Sequence, residues 1–255
     1  PSVFILPSKL AKYVKDEENS KNGYRLSIED REKGIRRLMG INMLKRLESS
    51  VNSFRLTIER IETLITKTIK RIDNFDGLEQ IDDYDLEDVD LEDVDDDLII
   101  GKKKNKISLV DMDYLSWKEY LQKDAENINL MITMLKDITP EHDSKLQQLI
   151  CDLKEKFAHP INGDNKKVLI FTAFSDTALY LYQNLSEKIK DEYNLNSAII
   201  TGDMKGGQTT IKKVKGDFNT ILTLFSPISK ERGTLLPGVK EDIDVCKTDG
   251  IQCEN

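Results

Sequence analysis

Between positions 44 and 72, apolar side chains recur at intervals of three and four: Leu44, Leu47, Val51, Phe54, Ile58, Ile61, Ile65 and Ile72, with Thr68 in the one remaining place. A seam of that period suits a helix and no strand, and it calls for a second apolar surface to cover it. The spacing predicts one long, coiled-coil-like helix. Ser27 and Asp30 stand as cap and acidic capping-box partner near its start, and Gly34 and Gly40 weaken its first turns slightly.

A matching surface follows. Residues 111–138 place Trp117, Leu121, Ile128, Met131, Leu135 and Ile138 on one helical face, interrupted near Asp124. Two long amphipathic helices joined by a flexible segment predict an antiparallel hairpin. Pro140, at a first helical turn, opens a third helix ending near Phe157, with Leu146, Leu149, Ile150, Leu153 and Phe157 inward. His159 then lies in a loop. Residues 1–160 are assigned to this helical hairpin domain.

The segment joining the first two helices is of another kind. Residues 73–97 hold 14 acids and no base, and LEDVD is repeated at 86–95. Like charges at this density resist compaction, so residues 73–105 are expected to form a disordered linker. No stretch has the ligand positions, central glycine and terminal glutamate of an EF-hand, so calcium is not indicated. The linker also sets the sign of the chain. The net charge is −8 with it and +6 without residues 73–97, and residues 1–72 alone carry +7. A basic helical surface can meet nucleic-acid phosphates, and a solvated helix face has the same composition.

No apolar run approaches the ~18 residues of a membrane span. Cys151, Cys246 and Cys253 are odd in number and form no CxxC pair, which indicates reduced structural thiols and no metal site. The chain begins at Pro1, and its apolar residues 3–6 are too few for a signal core. It reads as an excised piece of a longer intracellular protein, expected in the cytoplasm.

Residues 161–255 have a different pattern. Lys166 and Lys167 lead into an apolar run at 168–171. A turn at 172–176 and an amphipathic helix to Lys190 follow, then a second apolar run at 198–200 that stops at Thr201-Gly202-Asp203. Strand, loop, helix, strand is a βαβ unit, which requires a parallel sheet and a right-handed crossover. Further strands are expected at 220–224 and 243–245, with a helix at 209–215. The predicted fold class is therefore α/β, a long helical hairpin followed by a truncated parallel-sheet lobe. The GGQTT sequence at 206–210 lacks the order of a phosphate loop.

Three stretches resemble, in the same order, the bacterial branch of the Swi/Snf-type superfamily-two helicases. They are RRLMGINMLKRLESSVNSFRLTI at 36–58, VLIFTAFSDTA at 168–178 with its Thr-Gly pair at 201–202, and DFNTILTLFSPISKER at 217–232. The resemblance implies that residues 161–255 form a truncated second RecA-like lobe, one jaw of an ATP-dependent DNA helicase or translocase. It places Thr172 and Ser175 on a motif that touches a nucleic-acid backbone, and Thr201-Gly202 on the next. Thr248-Asp249 falls on a pair serving nucleic acid through Thr248 and ATP through Asp249. ATP and magnesium are implied for the full-length protein, in a cleft shared with a first lobe of the same parent chain, and DNA is the implied partner. No catalytic residue and no bound cofactor are expected in this chain alone. The strand before Thr248 is shorter than the family's, and the match ends at Asp249.

The residues themselves suit that role. Thr172, Ser175 and Thr201 carry short hydroxyls beside backbone amides, groups that bind phosphate oxygens. The same residues serve equally for helix capping and turn formation. Lys230 and Arg232 follow the expected third strand. A second reading is a non-catalytic protein-interaction module built on the helical hairpin. A small complete enzyme is disfavoured, because no Ser-His-acid or Cys-His set is arranged in the sequence.

Overall fold

The structure, a computed structural model, describes residues 2–13, 28–75, 107–161, 163–202, 206–212, 214 and 216–226. It separates into two units, Pro1–Asp137 and Ile138–Asn255. The helix before residue 160 belongs to the second of these units.

In the first unit the apolar periodicity becomes three helices: α1 (Ile28–Ser49), α2 (Val51–Asp73) and α3 (Tyr114–Lys136). Helices α2 and α3 are antiparallel. Phe54 and Ile58 near the start of α2 pack with Ile132 and Leu135 near the end of α3. At the other end Ile72 packs with Trp117 and Leu121, and Asp73 pairs with Lys118. The predicted hairpin is therefore present. Ile132 fills the place expected for Met131, which is exposed along with Ile138.

The single long helix is not present. The chain breaks at Ser50, whose backbone is extended (φ −158°, ψ 149°) and whose hydroxyl accepts from the Ser53 amide at 3.0 Å. A serine that caps offers the backbone a local alternative to helix, and here that alternative wins. The seam holds from Val51 to Ile72, with Thr68 buried in its expected place and its hydroxyl donating to the Leu64 carbonyl. Before the break it fails: Leu44 is 67% and Leu47 39% exposed, and α1 turns Met43 and buried Arg46 inward instead.

An N-terminal segment closes the open end of the hairpin. Ile5 bridges Met112, the Leu6 amide donates to the Asp111 carbonyl, and the Asp113 amide donates to the Phe4 carbonyl. Phe4 packs among Ile72, Leu109 and Met112. Of the linker expected at 73–105, Asp73 is the last residue of α2, and residues 76–105 lie outside the described residues.

In the second unit, α4 (Ser144–Ala158) and α5 (Ser175–Tyr193) pack through Leu146, Leu153, Phe157, Tyr180 and Leu185. The inward face of the third helix is as the spacing predicts. Its start is not: Asp143 caps it, and Thr139 to His142 form a turn. Two short strands, β1 (Ala198–Ile199) and β2 (Gln208–Thr209), pair antiparallel, and α6 (Phe218–Phe225) follows.

The predicted parallel sheet is absent among the described residues. Residues 168–171 form no ladder, and Leu169 and Phe171 are 62% and 86% exposed. Residues 220–224 are helical, because Asp217 accepts from the Thr220 amide as an N-cap and Ile221 and Leu224 recur on one face. The described residues of the helix expected at 209–215 are not helical: Thr209 ends β2, and bends and a turn follow at 210–212. A short apolar run measures the tendency to be buried and does not distinguish strand from helix. The strand expected at 243–245 lies outside the described residues.

Candidate nucleic-acid interface

The loop from Lys166 to Phe174 is anchored at its start. The Lys167 amide donates to the Asn165 side chain, and its Nζ donates to the Phe225 carbonyl at the end of α6 while lying 5.5 Å from the Phe225 ring. A cation there complements the carbonyl end of a helix. Val168 packs on the α4–α5 core. Beyond it, Leu169, Ile170 and Phe171 are exposed, and Phe174 at the helix entry is half-buried.

Thr172 and Ser175 flank that entry. The Thr172 hydroxyl donates to the Phe174 carbonyl at 3.0 Å, so its proton is used within the loop. Phe174 occupies the N-cap position without a side-chain cap bond, and Ser175 is the first helical residue. Leading backbone amides of a helix have no carbonyl partner within it and favour anions. Asp176 already sets a carboxylate in this first turn, so a phosphate would share the terminus with it.

Thr201 and Gly202 sit on a different loop, after β1. Thr201 is half-buried and Gly202 exposed, with nothing among the described residues within 4 Å of where a Cβ on Gly202 would stand. The Thr210 amide donates to the Ser197 carbonyl, and the Thr210 hydroxyl accepts from the Ser197 amide at 2.9 Å. Gly207 and Gly216 bring two backbone segments together. A Cβ on Gly216 would stand 1.9 Å from the Gly207 carbonyl oxygen, and one on Gly207 would stand 2.4 Å from the Ile199 oxygen. The Gly206-Gly207 pair is thus a close-approach site. Thr248, Asp249, Lys230 and Arg232 lie outside the described residues.

Several ionisable groups are shifted by their neighbours. Hydrogen bonds from Thr220 hold the Asp217 carboxyl below the usual range, and burial pushes the Tyr182 phenol up. The Asp111 carboxyl is held low by the Lys12 ammonium and the Tyr13 hydroxyl. Among the described residues, no group of three or more His, Cys, Asp or Glu is placed to hold a metal, and no helix is long and apolar enough to cross a membrane.

One surface escaped the sequence reading. The face of α1 turned away from the core carries exposed Lys33, Arg36, Arg37, Ile41, Leu44, Lys45 and Leu47. The run of bases is present in the sequence, but the spacing of Leu44 and Leu47 places them on the buried seam. Comparison of the chain with protein-family models, curated proteins and solved structures finds no match.

Proposed function

We propose that this chain supplies the second jaw of an ATP-dependent DNA translocase, carrying a helical hairpin ahead of a RecA-like lobe. What carries the reading is the order of loop, helix and strand. A loop bearing Thr172 opens α5 at Ser175, and α5 ends at left-handed Asn194 (φ 53°), after which the chain enters β1 and then Thr201-Gly202. That is the order in which the helicase motifs occur in the resembling stretches. ATP and magnesium would sit between this lobe and a first lobe bearing the phosphate loop. Phosphoryl transfer needs that loop, a metal carboxylate and an arginine finger, so the chain alone turns over no ATP.

The test is anisotropy of a labelled DNA duplex titrated with the chain. Binding should be weak and should fall with salt as phosphate contacts release counterions. Thr172→Ala with Ser175→Ala should weaken it several-fold with thermal unfolding unchanged. DNA binding indifferent to salt and to the double change would sink the reading, as would ATP turnover by the purified chain alone.

A second reading, a protein-interaction module, is favoured by one observation. On α3, Leu130 and Met134 are 63% and 65% exposed, with Met131 beside them. Contiguous apolar surface of this kind marks docking sites.

A further inference from the structure

The outward face of α1 is both basic and apolar. Leu44, at 67% exposure, is flanked on the helical wheel by Lys33 and Arg37, with Arg36, Leu47 and Ile41 at the margins. From 33 to 47 the chain has no acid. The opposite face is spent, since Met43 packs into the α2–α3 core and Arg46 is 2% exposed with its guanidinium donating to the Ser53 hydroxyl at 3.3 Å. Leucines left in water between cations suit a ligand that is itself acidic and apolar, because the charges steer and the side chains anchor.

The chain carries such a ligand. In residues 86–95 Leu86, Val89, Leu91 and Val94 alternate with six carboxylates and no base. The geometry points to this LEDVD repeat as the occupant of the α1 face, bound within the same chain. Its tethers support the assignment. The chain leaves the described hairpin at Phe75 and rejoins it at Ile107, and both residues pack on the Ile72–Leu109–Met112 cluster. Helix α1 packs along α2 and also touches the N-terminal turn Ser2–Phe4, which reaches that same cluster through Phe4. About ten residues of chain at ~3.3 Å each span ~33 Å, comparable with the ~33 Å length of a 22-residue helix. A tethered ligand meets its site at an effective concentration up to millimolar, so modest contacts suffice. The inference stands apart from the translocase reading and uses none of its site residues.

Two measurements test it. In the intact chain, a carbodiimide that joins amines to carboxylates with loss of water should link Lys33 or Lys45 to acids of residues 87–95. The links should fade in 1 M salt, where the Debye length is about 3 Å. In a mixture of isotopically light and heavy chains, they should fall within one chain. Separately, a variant with residues 82–97 replaced by Gly/Ser should bind a labelled peptide of residues 82–97. That binding should drop at least about tenfold in Arg36→Glu/Arg37→Glu and in Leu44→Asp, all on exposed positions, and with a peptide whose four apolar residues are serine. Links running between chains would make the occupant a second copy and overturn the proposal. So would absence of links together with no saturable peptide binding. A DNA duplex that binds the replaced variant through Arg36 and Arg37 while the peptide does not would overturn it in favour of a nucleic-acid surface.

Discussion

The Tyr180 hydroxyl donates a 3.0 Å hydrogen bond to Oδ2 of Asp143, while Oδ1 of the same carboxylate accepts from the Lys145 and Leu146 amides. One buried aspartate therefore caps α4 and ties it to α5. Asp143→Ala should remove both, costing about 2.5–4 kcal/mol from a cap worth about 1 and a charge-assisted bond worth about 1.5–3. Tyr180→Phe removes only the hydroxyl bond and should cost less, about 1.5–3 kcal/mol. Urea unfolding of the singles and the double should show non-additivity, since both changes remove one shared contact.

The break at Ser50 reverses the expectation for a proline nearby. On a continuous helix, Asn52→Pro would fall in the interior and cost about 3 kcal/mol. In the structure Asn52 is the second residue of α2, where an amide has no helical partner to lose. Asn52→Pro should cost well below that figure. Phe54→Asp, at a buried core position, should cost more than about 3 kcal/mol. Equal losses of melting temperature in the two variants would place the helix start elsewhere.

Asp111 makes the first unit acid-sensitive. Its carboxylate accepts from Lys12 at 2.8 Å and Tyr13 at 2.7 Å, and its acidity is raised chiefly by the Lys12 bond, then by Tyr13. A depressed folded-state pKa contributes stability above the unfolded value of about 3.9, and that stability is lost as pH falls through the folded value. Tyr13 is shifted upward, mainly by burial. Its contribution is complete below about pH 10 and is lost as pH rises through the folded value. Asp111→Asn should be less stable at neutral pH and should converge with the parent in acid, as read by unfolding free energy against pH.

Two glycines should respond differently to alanine. Gly216→Ala sets a Cβ against the Gly207 backbone and should destabilise the second unit by about 1–3 kcal/mol. Gly202→Ala meets only open space among the described residues and should leave thermal unfolding unchanged. If the Thr201-Gly202 loop contacts DNA, the same change should still weaken duplex binding.

The helices of the hairpin and of α4 were legible in the sequence because helix burial is periodic. Val51, Phe54, Ile58 and Ile72 announce their face by spacing alone, as do Leu146, Leu153 and Phe157. The start of α5 was legible to within one residue at Ser175. Tertiary structure decided the rest. Whether 168–171 pairs depends on a neighbouring strand, and whether 220–224 coils depends on Asp217 reaching the Thr220 amide. Leu44 and Leu47 keep the seam's period yet face water, because Ser50 resets the helix and turns Met43 and Arg46 inward instead. Periodicity records which side chains share a face; only packing selects which face meets the core, since that choice rests on contacts between residues distant in sequence.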